Sequence, residues 1–199
     1  MHGPFIVVLW LAGAITLADA TDEGLCVRQP SPACDAAAVA EFSGRVRDYL
    51  RLRQDAARGL PHEQLFDDPR EALARRKALR RAIRDARPDA RAGDLFTPGA
   101  AAAFRHIVAA TAAAHHVDPT DIVHALRAER ERGAKQPAVN RRYDWRLGAW
   151  MWPALLQALP LLPENLLQYR IVDNDLVLVD LHASLVVDIL EDALTADED

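Results

Sequence analysis

The sequence predicts a mainly α-helical (α+β) protein with four to five helices, a small C-terminal β-hairpin and a terminal helix. Apolar residues recur at three- and four-residue steps over much of 36–133, which is the spacing of one helix face. Several of these stretches begin with a capping residue followed by proline, as helices often do. Near the C-terminus, two short apolar-rich runs flank Asp173-Asn174, which predicts a hairpin.

Residues 1–20 are typical of a secretory signal peptide. The run Phe5–Ala18 is apolar apart from a glycine and a threonine, and it is shorter than the roughly 20 residues that span a bilayer. The small residues of Ala18-Asp19-Ala20 suit a signal peptidase. We therefore expect cleavage after Ala20 and a secreted or periplasmic product without a transmembrane segment. The alternative is a buried apolar strand or helix at the N-terminus.

The next segment, residues 21–35, contains both cysteines of the chain, Cys26 and Cys34. In an oxidising compartment, an even number of closely spaced cysteines indicates a disulfide more often than a metal site. A bridge across so short a loop would stabilise the fold by roughly 2 to 3 kcal/mol. We expect a disulfide-linked N-terminal arm, with two free thiols as the alternative.

The first predicted helix covers about 36–58, since its apolar residues keep helical spacing until Gly59 and Pro61. The second starts after Asp68, where a capping carboxylate precedes Pro69 at the first helical position. It should end before Pro88, because proline removes a donor and disfavours helix in the residue before it.

A third helix is predicted from Thr97-Pro98 and a fourth from Asp118-Pro119 to about Gly133, both with the same capped start. A proline-punctuated stretch follows, with a possible short helix at 153–159.

The predicted hairpin lies near 166–181, with strands around Leu167–Ile171 and Leu176–Val179. The later apolar residues return to helical spacing over 185–194, which predicts the terminal helix before an acidic tail at 196–199. Because a lone hairpin is only marginally stable, it should pack on the helices. Residues 36–195 are therefore predicted to form one domain.

Two segments carry a resemblance to known proteins. GDLFTP at 93–98, followed by Phe104-Arg105, and the stretch 159–190 beginning LPLLPENLLQYR resemble a group of uncharacterised secreted bacterial proteins. The resemblance extends over most of the chain after residue 20. It implies helical pairs, a proline-rich link and a C-terminal hairpin with a helix, and it implies no activity.

Arginine is concentrated in the second predicted helix. The formal net charge of the chain is −5, so the composition gives no general nucleic-acid signature, yet residues 70–91 hold nine Lys or Arg. Five arginines there follow near-helical spacing: Arg76, Arg80, Arg84, Arg87 and Arg91. In an exported protein such a stripe favours anionic lipid, lipopolysaccharide or an acidic partner over nucleic acid. The alternative is a solvated face neutralised by the acidic C-terminal end.

Aromatic residues are concentrated in one stretch of this aromatic-poor chain. Tyr143, Trp145, Trp150 and Trp152 lie within ten residues, together with Met151. Tryptophan and tyrosine suit both cores and binding surfaces, because they are apolar but keep a polar group. The cluster is expected to pack under the hairpin, with an exposed apolar patch as the alternative.

The residues that could perform chemistry are few. His116, Asp121 and His124 offer imidazole and carboxylate ligands of the kind zinc prefers. Asp118 between them is explained as a helix cap, however, and no HExxH spacing is present. No cofactor-binding motif occurs. Acid–base catalysis by Asp94, Asp180 or Asp188 has no pattern to support it.

These observations favour a non-enzymatic binding or structural protein of the bacterial cell envelope. Its partner would be an envelope protein, a lipid or a glycan. The competing hypothesis is an envelope hydrolase or metal-dependent enzyme that uses residues 115–124.

Overall fold

The computed structural model describes residues 32–61, 68–128, 130–148, 151–163 and 165–195. In these ranges the chain is mainly α-helical and ends in a small antiparallel sheet, which confirms the predicted fold class. The helices are α1 Pro32–Ala56, α2 Pro69–Ala86, α3 Pro98–His115, α4 Pro119–Ala128 and α5 Pro153–Ala158, and the strands are β1 Leu167–Val172, β2 Asp175–Asp180 and β3 Leu185–Leu190. None of the described helices is both long enough and apolar enough to cross a membrane.

The helix starts follow the capping signals of the sequence. At the start of α2, Oδ1 of Asp68 accepts a hydrogen bond of 2.8 Å from the Arg70 N–H. At the start of α3, the hydroxyl of Thr97 accepts from the Ala100 N–H. Two boundaries differ from the prediction. α1 already begins at Pro32, so residues 32–35 are helical rather than part of an arm, and α4 ends at Ala128.

The predicted hairpin is confirmed, with β1 pairing to β2 in antiparallel register. Val172 lies opposite Asp175, and Asp173 between them adopts a φ of 54°. Aspartate tolerates this left-handed conformation better than most residues because its short side chain bonds locally.

The predicted terminal helix is wrong, because residues 185–190 form β3 and pair with β2. Every residue of β3 is buried. A strand covered on both faces has a nearly continuous apolar sequence rather than an alternating one, and such a run has no period of two to distinguish it from a buried helix.

The sheet separates two apolar clusters. The larger cluster lies between the helices and one sheet face, and its centre is a group of rings formed by Phe42, Phe96, Phe104 and Tyr169 at centroid distances of 4.8 to 6.4 Å. The smaller cluster lies on the other face and includes Tyr143. Aromatic rings in such offset and edge-to-face contacts add to the free energy gained from burial.

The segment 140–143 completes the sheet along the outer edge of β3. The Asn140 N–H donates to the Val186 carbonyl at 2.9 Å, the Val186 N–H donates to the Arg141 carbonyl at 2.9 Å, and the Tyr143 N–H donates to the Ser184 carbonyl at 2.9 Å. These bonds satisfy backbone groups of β3 that would otherwise form an open edge. They also fix the positions of Arg141 and Arg142 relative to the sheet.

Candidate anion-binding site

The structure divides the predicted arginine stripe into anchored and exposed residues. Arg80 donates from Nη1 to the Ala183 carbonyl at 2.7 Å, and Arg87 donates from Nη1 to the Val187 carbonyl at 3.1 Å. Arg80 therefore ties α2 to the turn between β2 and β3, and Arg87, the C-cap residue of α2, ties the end of the helix to β3. Arg91 lies beyond the end of α2 and is exposed beside Asp94.

Arg87 has two further contacts that make it structural. Its guanidinium lies 5.5 Å from the ring centroid of Tyr49, and its Nη2 is 3.4 Å from Oδ2 of Asp94. Its side chain is only 11% exposed. A cation held in this way against an aromatic face and a carboxylate is not available to a ligand.

Around Arg80 the structure assembles a cluster of positive charges. Arg76 and Arg84 are exposed on α2, and in the described part of the chain neither side chain has an ion-pair partner. The pKa of Arg80 is lowered because the group is partly buried and because the charges of Arg142, Arg76 and Arg84 act on it. Like charges brought together in this way favour the binding of an anion, because the anion offsets their mutual repulsion.

Next to this cluster the segment 135–146 encloses a cavity of about 570 Å³. Lys135, Arg141 and Arg142 line it, and their side chains are exposed without an ion-pair partner in the ranges that the structure describes. We call Arg76, Arg84, Lys135, Arg141 and Arg142 the basic surface. The sequence prediction missed Lys135, Arg141 and Arg142, although the adjacent Arg141-Arg142 was a visible signal.

Asp144 connects two parts of the wall of this cavity through hydrogen bonds. The Asp144 carboxylate accepts from Arg146 Nη2 at 2.6 Å and from the Lys135 N–H at 3.1 Å. The side-chain bond from Arg146 and the bond from the Lys135 backbone hold the pKa of Asp144 well below its usual range. The Asp144 carboxylate therefore pairs with Arg146 and, in the described part of the chain, forms no ion pair with the side chains of the basic surface.

The carboxylates considered for catalysis have structural partners instead. Asp188 is fully buried, and its two oxygens accept from the backbone N–H groups of Gly93, Leu95, Phe96 and Ile189 at 2.6 to 2.9 Å. Burial nevertheless raises the pKa of Asp188. The GDLFTP motif is thus a loop wrapped around a buried carboxylate. Asp180 is likewise buried and fully bonded.

The side chains of the histidine-rich segment 115–124 do not come together to form a metal site. His116 caps α3 with a φ of 53°, and its N–H donates to backbone carbonyls of that helix. Asp118 accepts from the Thr120 N–H and hydroxyl at 2.8 Å. No three His, Cys, Asp or Glu side chains within the described ranges are placed to hold a metal ion. His116, Asp121 and His124 are all exposed.

The described members of the aromatic cluster pack in or against the core. Tyr143 is 0% exposed, so the alternative of an exposed patch is wrong for this residue, and burial raises the pKa of its hydroxyl to about 12. Trp145 is partly buried and donates from Nε1 to the Ser184 hydroxyl at 3.2 Å. Trp152 packs against the main core and the ring of His115. Trp150 lies outside the described residues.

Two predictions fall on the N-terminal residues that precede the described chain. The signal peptide at 1–20 and Cys26 both lie there. Cys34 lies in the first turn of α1 and is half-buried. The Cys26–Cys34 disulfide and the export of the protein remain predictions.

Comparisons with known proteins give no relative from which a role could be transferred to the basic surface. No protein-family model, curated protein or solved structure matches this chain.

Proposed function

We propose that this protein is a non-enzymatic, secreted or periplasmic protein of the bacterial cell envelope that binds an anionic group on its basic surface. The observation that carries the proposal is the positive charge around Arg80 and along the adjoining cavity, which has no ion-pair partner among the described residues. Arg76, Arg84 and Arg142 are the charges that act on Arg80. Lys135, Arg141 and Arg142 lie along the cavity.

The residue types favour phosphate as the recognised group. Guanidinium groups present a planar fork of donors that matches phosphate and carboxylate oxygens. Exposed charges of this kind act mainly through long-range attraction, which salt screens over about 10 Å at 0.1 M. In a cell envelope, such phosphate groups occur on lipid headgroups and on phosphorylated glycans.

The competing hypothesis of an envelope hydrolase or metal enzyme has less support. His116 already serves as the C-cap of α3, and Asp118 is bonded to Thr120. Asp180 and Asp188 are both 0% exposed and could not reach a substrate without a change in the fold. We therefore assign no catalytic residue.

The test is co-sedimentation of the purified protein with phosphatidylglycerol vesicles and with phosphatidylcholine vesicles. We expect retention on the anionic vesicles only, falling steeply between low and high salt. A variant with Arg76→Gln, Arg84→Gln, Arg141→Gln and Arg142→Gln should lose most of that retention. Arg80 is left unchanged, because its contact with the Ala183 carbonyl supports the fold.

The matched control removes two exposed arginines from α1, Arg47→Gln and Arg51→Gln. A variant with only Arg141→Gln and Arg142→Gln carries the same change in charge at the cavity. If the two double variants lose retention equally, the effect is one of net charge and the basic surface is not a site. Equal retention of the fourfold variant and the wild type would also contradict the proposal.

A further inference from the structure

A second cavity lies at the opposite edge of the sheet from segment 140–143. It has a volume of about 230 Å³ and runs beside β1. Its walls are mainly apolar and include Met151, Leu156 and Leu161, with Gln168 and Arg170 as the polar members. This volume is below the roughly 300 to 1,000 Å³ typical of drug-sized ligands, so it suits a slender ligand.

The rim of this groove exposes apolar side chains that the core does not use. Leu161 is 91% exposed and Leu156 is 50% exposed. In the described part of the chain, the other large hydrophobic residue with comparable exposure is Leu73 on α2. Single exposed leucines are common, but two of them at the rim of one apolar groove indicate a contact surface.

Arg170 contributes a positively charged side chain to the lining of this groove. Its Nη1 donates to the Tyr169 carbonyl at 3.3 Å, its Nη2 donates to the Gln168 side chain, and its guanidinium lies 5.8 Å from the Trp145 ring. Its Nε is buried and has no hydrogen-bond partner among the residues that the structure describes. No acidic side chain of the described ranges forms an ion pair with it. Burial also lowers the pKa of Arg170.

A partly buried cation is costly unless an anion accompanies it. We propose that the groove beside β1 binds an unbranched acyl chain of medium length whose carboxylate pairs with Arg170. The apolar walls would cover the chain, and the guanidinium would hold the carboxylate through charge-assisted hydrogen bonds. This site is separate from the basic surface and does not depend on its function.

An extended peptide added to β1 as a further strand fits the groove less well. The Tyr169 carbonyl already accepts from Arg170, and the Leu167 N–H already donates to the Pro163 carbonyl at 2.9 Å. A strand pairing along this edge would have to replace these contacts, because strand addition depends on backbone hydrogen bonds. An acyl chain needs no backbone partner.

Calorimetric titration of the purified protein with octanoate and with 1-octanol tests the proposal. We expect octanoate to bind about tenfold more tightly than octanol or better, since only octanoate can pair with Arg170. Octanoate should also raise the melting temperature, because a ligand that binds only the folded state stabilises it. Equal affinity for the two ligands, or no binding of octanoate, would overturn the proposal.

Two variants locate the site. Arg170→Gln should reduce the affinity for octanoate to that for octanol. Leu161→Gln should weaken both ligands and will not disturb the core, since Leu161 is 91% exposed. Leu73→Gln is the matched control and should change neither affinity. Unchanged octanoate binding in Leu161→Gln would overturn the assignment, as would binding of an apolar peptide with a free carboxyl terminus but not of octanoate.

Discussion

Tyr49 on α1 donates a hydrogen bond of 2.9 Å to Oδ2 of Asp180 at the end of β2, although 131 positions separate them in the sequence. Arg53, one helical turn further along α1, donates from Nε to the same oxygen at 2.7 Å. The Ala183 N–H donates to the other oxygen at 2.8 Å. Burial, followed by the charge of Asp180, raises the pKa of the Tyr49 hydroxyl well above its usual value. One buried carboxylate thus joins α1, the longest of the described helices, to the sheet.

Removing this carboxylate should be costly. Asp180→Ala leaves Arg53 and the Tyr49 hydroxyl without their partner, and we expect the free energy of unfolding to fall by about 3 to 5 kcal/mol. Tyr49→Phe should cost about 1 kcal/mol, the value of one hydrogen bond. Urea denaturation measures both changes. Asp48→Ala is the control, because its pair with Arg51 is exposed and should contribute less than about 1 kcal/mol. A similar fall in the free energy of unfolding in Asp180→Ala and Asp48→Ala would disprove the structural role of Asp180.

Asp188→Asn should destabilise the protein by about 3 kcal/mol. Each oxygen of Asp188 accepts from two of the four backbone N–H groups, so the amide nitrogen of asparagine leaves two of these donors without an acceptor. The loop at 93–96 should then exchange its amide hydrogens faster than in the wild type. Hydrogen exchange measured by NMR would reveal this, and unchanged protection of all four amides, those of Gly93, Leu95, Phe96 and Ile189, would contradict the prediction.

The hairpin turn should contribute a pH-dependent part of the stability. Although burial opposes ionisation, hydrogen bonds from Gln136 and Arg127 and the charge of Arg130 hold the pKa of Asp173 below its ordinary value of 3.8. Ionised Asp173 therefore adds to the stability of the folded protein at pH values above 3.8. This added stability is lost as the pH falls through the lowered pKa that Asp173 has in the folded state. Asp173→Asn should be less stable than the wild type by about 1 kcal/mol at neutral pH, and the difference should shrink at about pH 2.

Asparagine is a suitable replacement because it also tolerates the φ of 54° at this position. Urea denaturation at several pH values measures the difference. The difference in the free energy of unfolding between Asp173→Asn and the wild type should depend on pH. If it stays constant from neutral to acid pH, the turn geometry rather than the charge of Asp173 is responsible.

His116→Gly should stabilise the protein by about 1 kcal/mol. His116 caps α3 in the left-handed region at a φ of 53°, where glycine has no steric penalty. Ala114→Gly, inside the last turn of the same helix, should instead cost up to about 1 kcal/mol. Thermal unfolding of the two variants measures both effects. If zinc stabilises the wild type but not His116→Gly, the metal-site hypothesis would be favoured instead.

The capping signals predicted α2 and α3 well because they act locally. Asp68 and Thr97 bond to backbone N–H groups two and three residues away, so the residues that start each helix lie next to each other in the sequence. The hairpin could be predicted for the same reason, because the positive φ of Asp173 depends on the residue itself and its immediate neighbours.

The basic surface could be predicted only in part. The periodicity placed Arg76, Arg80 and Arg84 on α2, but sequence spacing does not show that Arg80 reaches the Ala183 carbonyl, 103 positions away. Nor does it show that Arg142 approaches Arg80 after its segment pairs with β3. These relationships arise from packing between distant elements.

By itself, the sequence determined the helical class, the helix starts and the hairpin, because each depends on interactions within a few residues. The tertiary structure decided the conformation of residues 185–190. Their apolar run suits a buried helix as well as a buried strand, and hydrogen bonds to β2 on one side and to Asn140–Tyr143 on the other select the strand. It also decided which arginines are anchored and which remain exposed, because only the folded sheet provides the carbonyls that hold Arg80 and Arg87.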